Sequence, residues 1–451
     1  MSIIRLSSPI ENIKDQYDVV VVGSGYGGAI AASRLARAGS QVCILERGKE
    51  IQPGEYPDTL PQVIREMQTD SPLVKTGART NLFDFHLNDD MSVLVGCGLG
   101  GTSLINAGVA LRPEPDVLQD PVWPKDLRDD TEGLLKQGFS RAEEMLKPAT
   151  YPAAFPPLKK LQALQKAAAG SNLPCALAPI NVTFHDGVNH VGVEQHACTL
   201  CGDCVSGCNY GAKNTLLMNY LPDAKAHRAE IFTQVGVRLL ERVGEKWKVH
   251  FEPLGEGRER FDAPTLCVTA NVVVLAAGVL GSTEILLRSK SAGLQVSDRL
   301  GYRFSANGDV QGFAYNTTEE VNGIGFGTRR PGEIDPVGPC ITAMIDVRSK
   351  NANEQGMLIE EGVVPGAIAS LLPELLAAAA QASGSEWTGG AAELLARKER
   401  EVASLLHGPY HGAIRQTITY LVISNDNSGG QMILKDDRLR IVWPDVYKLP
   451  A

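Results

Sequence analysis

The chain has 451 residues, 43% of them hydrophobic and 21% charged, which are proportions of a folded globular protein and exclude a largely disordered one. Lys and Arg number 43 against 52 Asp and Glu, a formal charge of −9, which is a poor basis for sequence-independent nucleic-acid binding. No stretch approaches the roughly 20 apolar residues that cross a bilayer, and the polar start, with Glu11, Lys14 and Asp15, lacks a signal-peptide apolar core, so a cytoplasmic protein of about two or three domains is expected.

Asp18 to Val22 is a β-branched run that predicts a buried parallel strand. It leads into Gly23-Ser24-Gly25-Tyr26-Gly27-Gly28, which fits G-x-G-x-x-G. An Ala-rich helix over Ala29 to Ala38 follows, closed by Gly39, and then a second strand, Gln41 to Leu45, ending at Glu46. In such a unit Gly23 permits the tight turn, Gly25 lets the backbone approach a pyrophosphate, and Gly28 lets helix and strand pack closely. The helix N-terminus offers free N–H groups to phosphate. Glu46, 18 residues after Gly28, stands where an acid accepts ribose hydroxyls. Strand, glycines, helix, strand and acid in that order predict dinucleotide binding.

The segment Gly96 to Gly108 holds five Gly in thirteen residues, with apolar residues woven between them. It predicts backbone laid directly against a flat or anionic group. Further on, Cys198-x2-Cys201-x2-Cys204-x3-Cys208 has the spacing of an iron–sulfur ligand run. A 4Fe-4S cluster is the leading expectation. The fourth ligand is the least determined, because Cys208 is followed by Asn209 and not Pro. A tetrahedral zinc site and unligated thiols are the alternatives. The other five Cys lie scattered in apolar stretches and read as small buried hydrophobes. Asn271 to Ser282 is a second apolar strand that ends in small residues, with a helix expected after it.

These stretches resemble the glucose–methanol–choline (GMC) oxidoreductase family, in the branch that includes cholesterol oxidase. The matching segments are V-V-V-G-S-G-Y-G-G, V-G-C-G-L-G-G-T-S-L-I-N-A-G-V, V-V-L-A-A-G-V-L-G-S-T-E-I-L-L and L-G-Y-R-F-S-A-N-G-D-V. The resemblance implies an α/β fold with a doubly wound, Rossmann-like FAD-binding domain and an antiparallel-sheet substrate domain. It also implies oxidation of an alcohol by hydride transfer to FAD. The implied cofactor-binding residues are Gly23, Gly25, Tyr26, Gly28, Glu46 and Arg47 in the first unit. Gly96, Gly101, Thr102, Asn106 and Ala107 follow in the glycine loop, with Val235 as an adenine contact and Ala277 and Gly278 at the later strand end. Glu360 matches an active-site glutamate, with Glu361 as its rival, and Asn106 is expected to help hold the flavin ring. Cholesterol oxidase itself lacks the cysteine run. An iron–sulfur cluster favours a dehydrogenase that passes electrons to an external acceptor, such as a cytochrome, a quinone or another redox protein.

The family's catalytic histidine lies in an H-P-x-G-G stretch near its C-terminus, and none of the eight His here lies in one. The resemblance implies a further C-terminal family segment after the expected strands Gly430 to Trp443, and this chain is expected to lack it. A second polypeptide that completes the active site is therefore expected. The division expected along the chain is an FAD-binding domain over 1–120 and 214–315, an inserted cysteine-bearing region over 121–213, and a substrate domain over 316–451 with a helical insertion at 367–406. The substrate is expected to be a fairly apolar alcohol: a sterol, a terpenoid or an aromatic. The rival readings are a sterol-type oxidase that uses oxygen and a noncatalytic flavin-binding or electron-transfer subunit.

Overall fold

The computed structural model describes residues 5–130, 133–255, 265–348, 356–382 and 390–446. Strand β1 (Gln16–Val22) feeds helix α1 (Tyr26–Arg37), and β2 (Val42–Leu45) follows. The helix begins three residues earlier than the Ala run suggests, because Gly25 is extended and Tyr26 already turns. It ends as expected at Gly39, which is left-handed at φ +90°.

β1 sits inside a six-stranded sheet, between β2 and strand Leu266–Leu275, and pairs in parallel with both. Val19 to Val22 and all four residues of β2 are buried, as a strand covered on both faces requires. Strands Val235–Val243 and Lys246–Pro253 extend the sheet as an antiparallel edge. Small residues let α1 lie close: Ala29, Ala32 and Ala36 are buried against the sheet core.

The second large sheet has five strands, in the order Val310–Ala314, Ile418–Ser424, Met357–Gly362, Ala343–Asp346 and Cys175–Leu177. Its pairings are antiparallel. Two of these strands come from outside the segment 316–451. Val310–Ala314 falls in the stretch expected to belong to the first domain, and Cys175–Leu177 in the inserted region. Edge positions far from the glycine motifs carry no local sign of which sheet they join. Helix Lys159–Gly170 packs on this sheet.

The helical insertion forms as a 3-10 turn, Gly366–Leu371, with helices Leu372–Ala382 and Ala391–His407. Residues 383–389 of the insertion lie outside the described residues. Among the described residues, no helix is long and apolar enough to cross a membrane.

Candidate functional site

The glycine motifs that are distant in sequence meet at the end of β1. A Cβ on Gly23 would fall 2.6 Å from the Ala276 carbonyl oxygen, and one on Gly28 would fall 2.0 Å from the Gly23 carbonyl oxygen. Ala276 in turn donates its amide to Val22. The first turn, α1 and the Ala277–Gly278 strand end thus pack backbone to backbone. Gly278, at φ +71°, turns the chain into helix Gly278–Ser291.

The loop from Gly96 lies across the same place. Gly101 is left-handed at φ +58°, and its Cβ would sit 2.9 Å from Gly25 Cα. Gly25 itself faces open space, with nothing within 4 Å of its Cβ direction. Thr102 Oγ1 accepts the Gly96 amide at 3.1 Å, and the Asn106 amide bonds the Thr102 carbonyl. Ala107 is half-buried beside Asn106. The result is an open cradle floored by backbone, and it fits a bound pyrophosphate.

Ser24 and Glu46 organise its polar rim. Glu46 Oε2 accepts the Ser24 amide at 3.0 Å and the Ser24 hydroxyl at 2.6 Å, and Oε1 accepts the Gly48 amide at 2.8 Å. Three of its roughly four acceptor positions are taken, which aims the carboxylate and leaves capacity for a hydroxyl. Ser24 Oγ also accepts the Gly100 amide at 2.9 Å, so a residue in a variable motif position locks the two glycine loops together. Arg47 pairs with Asp84, and His86 Nε2 lies 3.2 Å from the same carboxylate. The Arg47 charge and the hydrogen bond from His86 hold the buried Asp84 carboxyl well below its usual range against the opposing effect of burial. The Val235 amide bonds the Glu46 carbonyl, and Pro253 opposite has no N–H to give the Val235 carbonyl. Of Val235, the carbonyl is therefore the group that suits an adenine amino contact.

Asn106 Nδ2 donates to Tyr26 Oη at 3.1 Å, while its buried Oδ1 has no partner. The Asn181 Oδ1 is orphaned in the same way, and burial raises the Tyr26 phenol against the effect of both amides. Buried acceptors left open next to the cradle suit a polar ring that arrives with its own donors.

The four cysteines of the run come together. Cys198, Cys201, Cys204 and Cys208 line one small hollow with Val182, Tyr210 and Lys213. The chain wraps it through left-handed residues at Leu200, Gly202 and Gly207. Asp203 fixes the loop by accepting the amides of Gly327 at 2.9 Å and Gly366 at 2.8 Å. Burial pushes the Cys198 thiol up to about 12 and raises those of Cys201 and Cys204 as well. Such thiols are inert until a metal takes their protons. Among the described residues no three His, Cys, Asp or Glu are grouped so as to hold a metal ion.

Lys213 sits at the boundary of cradle and hollow. Its ammonium donates to the carbonyls of Leu104, Asn106 and Cys204, and burial lowers it to about 8. A single lysine in Gly211-Ala212-Lys213-Asn214 has no recognisable spacing, and sequence reading passes over it.

The neighbouring glutamates part company. Alternation along Met357–Gly362 sends them to opposite faces. Glu361 bonds Lys160, with neither side chain exposed. Glu360 is 2% exposed and its Oε1 has no partner. Burial, then the charges of Glu361 and Asp309, raise its carboxyl to about 7. Besides His86, three histidines have carboxylate partners, all away from Glu360: His196 pairs with Asp186, His227 with Asp223 and His250 with Glu241. His407, the last residue of helix Ala391–His407, meets His411 edge to face.

A family model described as GMC oxidoreductase matches residues 17–305. The chain belongs to the GMC oxidoreductase family. A cholesterol oxidase of Mycobacterium tuberculosis is 29% identical over 313 residues, 66% of this chain and 52% of the relative. A cholesterol oxidase of Acinetobacter baumannii is 25% identical over 65% of this chain and 54% of its own length. Long-chain-alcohol oxidase FAO3 of Arabidopsis thaliana is 25% identical over 82% of this chain and 46% of its own. The chain spans about half the length of these curated relatives. Among solved structures, pyridoxine 4-oxidase from Mesorbium loti superposes with a TM-score of 0.52 at 16% identity, covering 96% of this chain and 76% of that one. A fungal aryl-alcohol oxidase gives 0.52 at 15% identity, covering 96% and 79%. The GMC fold, with its Rossmann-like domain and second sheet, is thereby common to all three.

Proposed function

We propose that this GMC protein binds FAD in the glycine cradle and acts as an alcohol dehydrogenase. The observation that carries the reading is the convergence of Gly23–Gly28, Gly96–Asn106 and Ala277–Gly278 on one open floor, with Glu46 beside it. FAD bound there supplies the hydride acceptor for the alcohol carbon. Asn106, held by Tyr26, orients the ring with its free carbonyl oxygen. Glu360 is a buried carboxyl near neutrality, a group that can give or take a proton at the substrate. The apolar alcohol follows from the relatives, whose names refer to cholesterol and long-chain alcohols.

The cysteine hollow is read as the seat of a 4Fe-4S cluster. Four thiols in one hollow, the run's spacing and a buried cation beside them support it. A cluster there supplies one-electron steps toward a cytochrome, quinone or other redox protein. A second polypeptide is read as the source of the base that takes the hydroxyl proton. That part is supported by the eight His lying outside any H-P-x-G-G stretch and by apolar Val272 and Val279 left 51% and 63% exposed around the FAD sheet. The names of the relatives favour one rival, an oxidase that uses oxygen.

Anaerobic purification with copurifying chains kept, followed by assay of FAD, iron and labile sulfide, tests the reading. Expected are one FAD, ~4 iron and flavin bleaching by sterols or long-chain alcohols. Iron-free protein that forms peroxide with those alcohols supports the oxidase. Flavin that no alcohol reduces with every partner present supports a noncatalytic subunit.

A further inference from the structure

We infer that a second cavity, apart from the glycine cradle, binds a small monocarboxylate with an apolar body. The cavity measures about 270 Å³, near the lower end of small-molecule sites, which run roughly 300–1,000 Å³. It lies between the C-terminal end of helix Leu134–Leu146, the segment 182–190 and Asn219, which caps helix Tyr220–Ala226. No residue of the cradle lines it, and the inference rests on neither FAD nor a metal.

The depth of this cavity is apolar and its mouth is cationic. Val182, Phe184 and Met218 are buried in its wall, with Met145 half-buried beside them. Lys147, His185 and His190 are exposed at the rim. Among the described residues none of the three forms an ion pair, and no Asp or Glu lines the cavity. The amides of the wall are spent on one another and on backbone. Asn189 Nδ2 donates to Gln195 Oε1 at 2.8 Å, and its Oδ1 accepts the Val191 and Val193 amides. Gln195 Nε2 donates to Asn214 Oδ1 at 3.0 Å, and Asn214 Nδ2 to the Leu146 carbonyl at 2.9 Å. Asn219 Oδ1 accepts the Tyr220 amide at 2.7 Å. The side-chain donors left at the mouth are the ammonium, the two imidazoles and the Thr150 hydroxyl.

Lys147 and His190 are close enough that, after burial, the lysine's charge lowers the imidazole. Asp223, the acid that acts on His190, is already bonded to Ser33 and Arg37. The mouth therefore carries positive charge with no anion of its own. A carboxylate set there accepts charge-assisted hydrogen bonds, and its apolar body fills the depth out of water. Inorganic phosphate satisfies the mouth alone.

The test titrates the full chain, with its copurifying partners, by calorimetry against hexanoate, acetate, inorganic phosphate and hexylammonium. Hexanoate is expected to bind once per chain with a Kd on the order of 1 mM. The other three lack the body or the carboxylate and should bind at least about tenfold more weakly. Lys147→Asn suits the left-handed φ of +49° at that position and should weaken hexanoate about tenfold. Lys147→Arg keeps the charge and should stay within about twofold of wild type. Melting temperatures check that both variants are folded. Histidine-selective NMR gives a second readout: hexanoate should move the ring signals of His185 and His190, assigned with His185→Gln and His190→Gln. Wild-type protein with no saturable hexanoate binding overturns the inference. So does acetate or phosphate that binds as tightly as hexanoate. Hexanoate affinity unchanged in Lys147→Asn, with both ring signals unmoved, also overturns it, because the ligand then sits elsewhere.

Discussion

Lys160 and Glu361 form an ion pair closed to solvent on both sides, with Nζ 2.8 Å from Oε1. The carboxylate also accepts the amides of Thr342 at 2.9 Å and Ala343 at 3.0 Å. The pair pins helix Lys159–Gly170 to the five-stranded sheet. Removing one partner strands the other charge in the core, so Glu361→Gln or Lys160→Met should each cost about 3–5 kcal/mol. A double replacement by Met and Leu should recover much of that loss. Denaturant unfolding measures both, and single variants within 1 kcal/mol of wild type would refute the account.

Glu360 predicts a pH dependence. Its carboxyl keeps its proton up to about pH 7 in the folded chain, against 4.5 for the ordinary group. Between those values the folded state binds the extra proton, so stability is highest below 4.5 and falls as pH rises toward 7. The slope is at most ~1.4 kcal/mol per pH unit. Glu360→Gln lacks this term. The melting temperature of the variant minus that of wild type should widen from pH 5 to 7 and level off above. A difference independent of pH would show that the carboxyl titrates normally.

The cradle predicts which glycines resist change. Gly101→Ala places a methyl 2.9 Å from Gly25 Cα at a left-handed φ of +58°, and Gly28→Ala places one 2.0 Å from a backbone oxygen. Both variants should purify folded but with most of the flavin lost, read from visible absorbance and released FAD. Gly39→Ala tests backbone strain alone: it shares a left-handed φ of +90° but has open space around it. It should lose about 1 kcal/mol of stability and keep its flavin.

The cysteines separate in the same manner. Cys198→Ser, Cys201→Ser and Cys204→Ser should each lower iron severely with FAD retained. Cys267→Ser, at an exposed strand position, should leave both unchanged. If Cys208→Ser keeps full iron, the fourth ligand is another group.

The parts of this molecule that were legible in its sequence are those written locally. Strand, glycines, α1, β2 and Glu46 follow one another within about thirty residues, so each implies the next. The closeness of the four cysteines is legible because their short spacing keeps them in one loop, where they line one hollow. Sheet membership was not legible, because Val310–Ala314 joins Ile418–Ser424 across a hundred residues with no local mark. Which of Glu360 and Glu361 is free depends on which face helix Lys159–Gly170 covers, a fact that lives in packing. Ser24 and Lys213 escaped notice for the same reason. Each acts through partners from distant segments, Gly100 for Ser24 and Leu104 with Cys204 for Lys213.

The place of β1 in its sheet has a consequence for synthesis. Val22 pairs with Leu275, so one edge of the first strand has no native neighbour until the ribosome has made more than two hundred further residues. At ~5–20 residues per second that wait lasts roughly 10–50 s. During it, a run of four valines presents an unpaired edge to other nascent chains. Yield in a heterologous host should therefore depend on how well chaperones shield the first fifty residues while the rest is translated.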